Sequence, residues 1–310
     1  MFLHKIFIAT TSFSTQSKKP LALLKSNNCK VVSNNKGRKL KGGELIRELS
    51  GIDGVIAGTE EYTKIVLNEL SQLKVISRLG VGFDNIDLET AKRIGIKISR
   101  TKTNPAPAVV ELSLSLMLDI ARKITNQNND VKNGVWNKQM GSLLQEKTLG
   151  IIGLGTIGKS LVKLVKGFNF RILAFDLFHD EKFAKEHKVN YCDIDTLLTQ
   201  SDIVSIHLNL TAETKGMMNK ERLYKMKPES ILINTSRGEI IDENALYDVL
   251  KSNQISGAGL DVFETEPYSG PLTELNNVIL TPHIGAYAKE LRIQMEIEAV
   301  ENLIRGLNEE

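Results

Sequence analysis

Short apolar runs alternate with segments of helical spacing along the first hundred residues. These runs predict strands at Ile6–Ala9, Val31–Val32, Gly54–Ala57, Val75–Ser77 and Lys97–Ser99. Apolar residues three and four apart predict helices between them, at Leu21–Lys25, Gly43–Leu49, Thr63–Leu70 and Leu88–Ile94. Because strands that alternate with helices form a parallel sheet with helices on both faces, this part of the chain predicts one α/β domain.

The alternation is interrupted at a proline-rich boundary and starts again at Thr148. Asn104–Pro107 marks the boundary, and Val109–Ile124 predicts one long amphipathic helix. Further strands are predicted at 149–152, Ile172–Phe175, Ile203–His207, Ser230–Asn234, Gly257–Asp261 and Val278–Leu280. Helices are predicted at Ile194–Thr199, Asn219–Met226, Glu243–Ser252 and Lys289–Leu307. The last of these is expected to pack on the first domain, so the chain predicts two α/β domains.

A glycine-rich turn joins the first two strands of the second domain. The segment from Thr148 to Asp176 has the order strand, glycine turn, helix, strand and acid, which a dinucleotide site requires. The first glycine allows the tight turn, the second lets the backbone approach a pyrophosphate, and the third lets the helix pack closely. The helix N-terminus offers free N–H groups to the phosphates. The predicted cofactor contacts of this motif are Gly153, Gly155, Thr156, Ile157, Gly158 and Asp176.

The acid that ends this motif favours NAD over NADP. Asp176 can accept hydrogen bonds from the adenosine ribose hydroxyls, whereas its charge would repel a 2′-phosphate. No arginine or lysine follows it before Lys182. The sequence therefore predicts NAD as the cofactor.

Composition excludes several classes of protein. The 310 residues have a net charge of +3 and are 41% hydrophobic, so neither a nucleic-acid partner nor a membrane partner is expected. No apolar run approaches the roughly 18 residues of a transmembrane helix. Cys29 and Cys192 lie in different halves of the chain and predict reduced thiols, which are typical of a cytoplasmic protein.

Three later segments place polar residues where predicted strands end, the edge at which α/β proteins form their sites. They are Asn234–Glu239, Leu260–Pro267 and Thr281–Gly285. None has the spacing of metal ligands. Hydride transfer with NAD needs an acid–base group for the alcohol proton and a cation for the substrate anion. His283 can be the first and Arg237 the second. A carboxylate beside the imidazole would fix its tautomer, and Glu264 and Glu266 are the two candidates.

Together these segments resemble the D-isomer-specific 2-hydroxyacid dehydrogenases, a family that includes phosphoglycerate dehydrogenase, D-lactate dehydrogenase and hydroxypyruvate/glyoxylate reductases. The resemblance extends from Lys5 to about Leu303. Besides the glycine motif with its acid, its marks are Arg78–Asp87 (RLGVGFDNID), Asn104–Glu111 (NPAPAVVE), Asn234–Ile241 (NTSRGEII), Gly259–Pro267 (GLDVFETEP) and Thr281–Gly285 (TPHIG).

The pattern and the resemblance together predict two doubly wound parallel-sheet α/β domains with a cleft between them. A flavodoxin-like substrate-binding domain is expected at residues 1–101 and 286–310. A Rossmann NAD-binding domain is expected at residues 102–285. The resemblance implies hydride transfer between NAD(H) and a small D-2-hydroxyacid or 2-ketoacid, such as hydroxypyruvate, glyoxylate or a 3-phosphoglycerate-like acid.

The resemblance also implies a role for each matching residue. Arg237 would bind the substrate carboxylate and carbonyl oxygen, and His283 would be the general acid/base with Glu266 as its carboxylate partner. The backbone N–H groups of Val81 and Gly82 would hold the substrate carboxylate. The implied cofactor contacts are Asp261 at the nicotinamide carboxamide, Thr235 and Ser236 along the nicotinamide, His207 near the adenosine half, and Gly285. For His207 a purely structural role stays open.

The loop after the third strand bears on the substrate. Phosphoglycerate dehydrogenases tend to have an arginine there, whereas residues 58–63 read Gly-Thr-Glu-Glu-Tyr-Thr, with two acids and no cation. A phosphorylated substrate would meet like charge at this loop, unless Arg78 or Lys102 supplies a cation.

The resemblance also bears on the oligomeric state of the protein and on the alternative functions. The family's dimer interface lies near Val109–Ile124, whose apolar residues exceed one helix face, so a homodimer through the NAD domain is expected. An NAD(H)-sensing scaffold with vestigial dehydrogenase activity is the alternative from another class. It would bind NADH and oxidise it negligibly. Formate dehydrogenase is disfavoured, because that branch pairs its histidine with glutamine where this chain has Glu266.

Overall fold

The computed structural model describes residues 3–309, which divide into two compact α/β units. The first unit comprises residues 3–104 and 287–309, and the second comprises residues 105–286. Within each unit the strand pairs of the sheet are parallel. The prediction of two doubly wound parallel-sheet domains is therefore confirmed.

The sheet of the first unit has the flavodoxin-like strand order. Its strands are β1 (His4–Ile8), β2 (Cys29–Ser33), β3 (Gly54–Ala57), β4 (Val75–Arg78) and β5 (Lys97–Arg100). Across the sheet they run β2-β1-β3-β4-β5, so the winding reverses between β1 and β3. The connecting helices are α1 (Lys19–Ser26), α2 (Gly42–Leu49), α3 (Lys64–Asn68) and α4 (Leu88–Arg93).

One face of this sheet carries a core that the helices α2, α3 and α4 complete. Phe7, Val55 and Ile76 contribute to it from the strands, and Leu45 and Leu67 contribute from the helices. All are fully buried. Removal of this apolar surface from water stabilises the layer by roughly 25 cal/mol per Å².

The second unit has a larger sheet with the Rossmann strand order. Its strands are β6 (Thr148–Ile152), β7 (Arg171–Phe175), β8 (Val189–Tyr191), β9 (Ile203–Ile206), β10 (Ile231–Asn234), β11 (Gly257–Leu260) and β12 (Val278–Leu280). They run β12-β11-β10-β9-β6-β7-β8, so the winding reverses between β6 and β9. The helices are α5 (Ala106–Arg122), α6 (Ile124–Lys132), α7 (Thr156–Leu164), α8 (Glu181–His187), α9 (Ile194–Gln200), α10 (Lys220–Lys225) and α11 (Glu243–Lys251).

Both faces of this sheet are covered. Residues of α5 and α7 share one apolar core with the strands, and residues of α9, α10 and α11 share the other. An acid or amide side chain accepts a hydrogen bond from the first turn of several helices and so fixes where each begins. These capping residues are Asp180, Asp193, Asn219 and Asp242.

Two features of the second unit differ from the sequence prediction. The helix expected at Val109–Ile124 ends at Arg122, because Lys123 has a φ of 53°, and a separate helix α6 begins at Ile124. The elements α8 and β8 had no predicted counterpart.

The last helix, α12 (Lys289–Asn308), belongs to the first unit. It packs on α1 and on β3, β4 and β5, as the sequence predicts. The hydroxyl of Ser77 in β4 donates to the carbonyl of Ala299, 2.7 Å away. Within α12 the buried Arg292 and Glu296 form an ion pair at 3.0 Å.

Candidate active site

The glycine turn of the second unit follows β6 at the point where the winding of the sheet reverses. Gly153 has a φ of 98°, and a Cβ there would lie 2.7 Å from the carbonyl oxygen of His207. A Cβ at Gly158 would overlap the carbonyl oxygen of Gly153. Only glycine therefore fits at either position. A Cβ at Gly155 would instead face open space, with no atom within 4 Å.

That open space lies at the N-terminus of α7. Gly155 is the N-cap residue of this helix, and no side chain caps it. The N–H groups of Thr156 and Ile157 belong to the first turn, where helices bind anionic phosphates. The bare N-cap and the open space thus fit the pyrophosphate of a dinucleotide.

Asp176, directly after β7, connects the glycine turn to the second strand. Its Oδ2 accepts a hydrogen bond from the N–H of Leu154 at 2.7 Å, and its Oδ1 accepts one from the N–H of Phe178 at 2.9 Å. The carboxylate is thereby held beside the turn, where a ribose would lie if a dinucleotide occupied it. These residues fit NAD, and the 2′-phosphate of NADP would meet a negative charge there.

His207 lies on the other side of the reversal point, directly after β9. Its N–H donates to the carbonyl of Ile152 at 2.8 Å, and its Nε2 is 2.9 Å from the hydroxyl of Ser205. Its Nδ1 is buried and has no hydrogen-bond partner among residues 3–309. Burial lowers the pKa of His207 to about 4, so the imidazole is neutral at pH 7.

The turn after β10 places Arg237. Asn234 organises it, because its Oδ1 accepts bonds from the N–H and hydroxyl of Ser236 and its Nδ2 donates to the carbonyl of Arg237. Thr235 is buried, with its hydroxyl 3.0 Å from that of Ser113 in α5. The guanidinium Nη1 of Arg237 donates to the carbonyl of Ser236 at 2.8 Å.

Gly238 brings this turn against the turn that follows β11. A Cβ at Gly238 would overlap the backbone of Phe263 and Glu264. Any side chain there would push apart the segments that hold Arg237 and Glu266. The glycine is therefore required by a close approach of two backbones.

The turn after β12 is fastened by the carboxylate of Asp261, which is 1% exposed. Its Oδ1 accepts from the hydroxyl of Thr281 at 2.6 Å and the N–H of Ile284 at 2.7 Å. Its Oδ2 accepts from the N–H of Gly285 at 2.8 Å. Burial raises the pKa of Asp261, and these donors oppose that rise.

Within this turn His283 meets Glu266. The imidazole Nδ1 lies 2.9 Å from Oε2 and 3.0 Å from Oε1 of the carboxylate. Because a carboxylate can only accept, Nδ1 carries the hydrogen and Nε2 is left for other chemistry. The His283 side chain is 40% exposed, so that a small molecule can reach it. The structure thus brings Glu266 to the histidine and leaves Glu264 exposed.

Val81 and Gly82 lie in the first unit, in the turn after β4. The carbonyl of Val81 accepts a hydrogen bond from Nη1 of Arg100 at 2.7 Å, and the N–H of Gly80 donates to the hydroxyl of Thr101 at 3.1 Å. These contacts order the turn whose N–H groups were predicted to hold a carboxylate.

Sequence motifs missed the contacts that support these residues. The Ser113–Thr235 hydroxyl pair joins positions 122 residues apart. The hydrogen bond from Thr281 to Asp261 joins positions 20 residues apart. No local pattern signals such pairs.

Among the described residues, no group of histidine, cysteine or acidic side chains could hold a metal ion, and no helix is suited to span a bilayer.

A Rossmann sheet with this glycine turn, and an imidazole–carboxylate pair at the same edge, define an NAD-dependent oxidoreductase. Residues 114–285 match the family described as D-isomer specific 2-hydroxyacid dehydrogenase, NAD binding domain. The chain belongs to the D-isomer-specific 2-hydroxyacid dehydrogenases, and its cofactor is NAD.

Two relatives and one solved structure support this assignment to the family. The chain is 40% identical over 273 residues to a glyoxylate reductase of Thermococcus litoralis, covering 84% of this chain and 82% of the relative. It is 40% identical over 275 residues to a hydroxypyruvate reductase of Thermotoga maritima, covering 86% and 89%. The solved structure of the TT0316 protein from Thermus thermophilus is similar with a TM-score of 0.87 and 32% identity, covering 98% of this chain and 96% of that chain.

The low pKa of His207 predicts an acid-sensitive contribution to stability. Between about pH 6.5 and pH 4 the unfolded chain binds a proton at this position and the folded chain does not, so the free energy of unfolding falls as pH falls. Over the whole window the loss attributable to His207 is about 3 kcal/mol. Urea unfolding at pH 7 and pH 4.5 measures most of this loss, and a His207→Gln variant is expected to lose less stability on acidification.

A His179→Gln variant is the matched control, because the His179 side chain is 49% exposed. The His179→Gln variant is expected to lose as much unfolding free energy on acidification as the wild-type chain. An NMR titration midpoint for His207 above pH 6 would refute the assignment.

Proposed function

We propose that the enzyme reduces hydroxypyruvate or glyoxylate, with His283 as the acid–base group, Glu266 as its partner and Arg237 as the anchor of the substrate carboxylate. The observation that supports this most directly is the double contact of the His283 imidazole with the Glu266 carboxylate at 2.9 and 3.0 Å. The relatives named above as glyoxylate and hydroxypyruvate reductases support the choice of substrates.

The imidazole is arranged to move one proton. With Nδ1 donating to Glu266, the Nε2–H of the protonated ring is directed away from the carboxylate and can give its proton to the oxygen of a 2-keto group. The carboxylate stabilises the positive ring before that transfer and fixes its orientation throughout. Bound NADH supplies the hydride that C2 receives.

Arg237 is suited to bind the carboxylate of the substrate. Its guanidinium presents N–H donors in a planar fork that suits a carboxylate, and its charge stabilises negative charge that develops on the oxygen. The turn held by Asn234 orders the backbone that carries it. In this proposal the N–H groups of Val81 and Gly82 bind a substrate carboxylate, and Asp261 both holds the His283 turn and accepts a hydrogen bond from the nicotinamide amide.

The remaining cofactor assignments form part of the same proposal. Thr156 and Ile157 contribute N–H groups to the pyrophosphate with the glycines of the turn. Thr235, Ser236 and Gly285 line the nicotinamide side. His207, neutral and with a buried Nδ1, lies next to the glycine turn near the adenosine half.

Replacement of the acid–base pair tests the proposal. A His283→Ala variant is expected to lose about 10²- to 10⁴-fold in kcat for NADH oxidation with hydroxypyruvate or glyoxylate, since proton transfer contributes that much. A Glu266→Gln variant keeps an acceptor for Nδ1 of His283 but removes the negative charge. A smaller loss in kcat is therefore expected, together with a change in how kcat depends on pH. NADH binding, measured by fluorescence, is expected to persist in both.

Glu264→Gln is the control, because Glu264 lies in the same turn and is exposed. It is expected to retain wild-type turnover. Near-wild-type activity of the His283→Ala variant would contradict the assigned role. Tight NADH binding without turnover on pyruvate, 2-oxoglutarate, oxaloacetate, hydroxypyruvate, glyoxylate or phosphohydroxypyruvate would contradict the proposed function and favour a scaffold.

We also propose that the enzyme is a homodimer through the second unit. In the structure the α5 leucines at 112, 114 and 118 pack partly against the core of their own unit. The exposed apolar residues follow in the segment 131–143, which we name the apolar arm. They are Val131 (52% exposed), Val135 (48%), Trp136 (83%), Met140 (88%) and Leu143 (71%). Such a concentration of exposed apolar side chains supports an interface.

Sedimentation velocity tests the dimer. The wild-type chain of 34.5 kDa is expected to sediment as a species of twice that mass. A variant with Trp136→Ser and Met140→Ser is expected to sediment as a monomer. Leu3→Ser, at a residue 70% exposed outside the arm, is the control and leaves the dimer intact. A monomeric wild type would rule out the proposal.

A cytoplasmic location is the final part of the proposal. Cys29 and Cys192 are both free thiols, and Cys29 is buried. Reduced thiols of this kind are typical of a reducing compartment.

A further inference from the structure

The side chain of Glu243 joins the two turns that carry Arg237 and Glu266. After Arg237 the chain forms a short 3₁₀ helix at Gly238–Ile240 and enters α11 at Glu243. The Glu243 side chain extends to the turn after β11, where its Oε1 accepts a hydrogen bond from the N–H of Glu264 at 2.6 Å. The first residue of α11 is therefore bonded to the backbone two residues before Glu266.

The same two turns meet at a second place, where backbone contacts backbone. A Cβ at Gly238 would overlap the carbonyl carbon of Phe263 and the nitrogen of Glu264. This contact limits how closely the two turns can approach. The hydrogen bond from Glu264 to Glu243 acts in the opposite direction, because it keeps the turn after β11 from moving away.

The turn after β11 is buried where it starts and exposed at its tip. Val262 and Phe263 are buried, and the ring of Phe263 stacks on that of Tyr268 with the centroids 4.4 Å apart. Glu264 and Thr265 are exposed. Exposed segments with few apolar contacts open at a low cost in free energy. A hydrogen bond to the backbone of this tip therefore has a large influence on its position.

Glu266 follows the tip and depends on the backbone around it. Its Oε1 accepts a hydrogen bond from the N–H of Phe263 at 3.3 Å, and both its oxygens lie within 3.0 Å of Nδ1 of His283. The carboxylate is thus placed by the turn after β11, whereas the imidazole is placed by the turn that Asp261 holds. Movement of one turn against the other changes the distance between carboxylate and imidazole.

The surroundings of Glu243 suit its hydrogen bond better than its charge. Burial raises the pKa of its carboxyl group, the N–H of Glu264 opposes that rise, and the charges of Glu264 and Glu239 add to it. A partly buried carboxylate beside other acids is unfavourable unless it makes a specific bond. The bond to the N–H of Glu264 is of that kind, so the acceptor oxygen is what this position provides.

We propose that Glu243 is a positioning residue for the acid–base pair. By accepting the N–H of Glu264 it fixes the turn in which the carboxylate of Glu266 meets Nδ1 of His283. Glu243 acts through that turn and not on the substrate or the cofactor. The inference rests on the proposed function, because it assumes that this pair transfers the proton.

Two variants separate the hydrogen bond of Glu243 from its charge. Glu243→Gln keeps an acceptor oxygen at the same reach, so it is expected to retain most of kcat with hydroxypyruvate. Glu243→Asp keeps the charge but is one methylene shorter. It is expected to lose about tenfold or more in kcat, because a displacement of about 1 Å can cost up to about 10²-fold. The KM for the keto acid is expected to change little, since Asn234 holds the Arg237 turn.

The Nδ1–H of His283 gives a second readout that needs no turnover. In enzyme with isotope-labelled histidine, the proton NMR signal of this group lies far downfield while Nδ1 donates to a carboxylate. Its loss in the His283→Ala variant assigns it. The signal is expected to keep its position in Glu243→Gln and to move upfield or broaden in Glu243→Asp.

Asp242→Ala is the matched control. Asp242 directly precedes Glu243 and is exposed, and its Oδ1 accepts the N–H of Ala245 at 3.0 Å as the cap of α11. Removal of the cap destabilises the start of the helix and leaves the bond to Glu264 in place. This variant is expected to unfold at a lower urea concentration, with the kcat and the NMR signal of the wild type.

Any pattern other than an impaired Glu243→Asp and a retained Glu243→Gln overturns the proposal. An equal loss of kcat in Asp242→Ala also overturns it, since an unstable helix would then explain the effect. A wild type without turnover on any keto acid would remove the proposed reaction. The NMR comparison would still decide whether Glu243 positions Glu266 against His283, so the two proposals fail separately.

Discussion

The buried carboxylate of Asp261 is the constraint on which the proposed acid–base site depends. It accepts a hydroxyl and two backbone N–H groups from the turn Thr281–Gly285, and without such donors its burial would be costly. His283 lies inside that turn with a φ of 55°, a conformation that costs roughly 1–2 kcal/mol for a residue with a Cβ. The bonds to Asp261 offset this cost, and the held backbone presents Nδ1 to Glu266.

Each unit has a point where the winding of its parallel sheet reverses, and the residues at the two points differ in charge and size. In the second unit the point is formed by Gly153 and the neutral His207, which leave room for an anionic pyrophosphate at a helix N-terminus. In the first unit Thr10 and Glu60 lie at the corresponding point. The same topology therefore leaves room for a large anionic cofactor in one unit and is occupied by a buried carboxylate in the other, because the side chains beyond the strands differ.

Much of the fold followed from the sequence, because parallel strands buried on both faces are continuous apolar runs. The glycine turn followed as well, since its three glycines meet local steric demands. The break at Lys123 was missed, because no glycine or proline marks it, and the three-residue edge strand β8 was too short to show a pattern. For the site, the residues alone left Glu264 and Glu266 open and the resemblance implied Glu266; what the structure adds is the contact of Glu266 with His283. The burial of Glu60 could not be foreseen, since adjacent glutamates in a loop are ordinarily solvated.

In the proposed mechanism His283 fixes the carbonyl oxygen and Arg237 fixes the carboxylate of the substrate relative to the nicotinamide, so only one face of a 2-keto group can be reduced. The configuration of the product tests this most directly. Hydroxypyruvate reduced by the enzyme with NADH and analysed by chiral chromatography is predicted to give D-glycerate alone. Formation of L-glycerate, or of a mixture of both enantiomers, would contradict this mechanism.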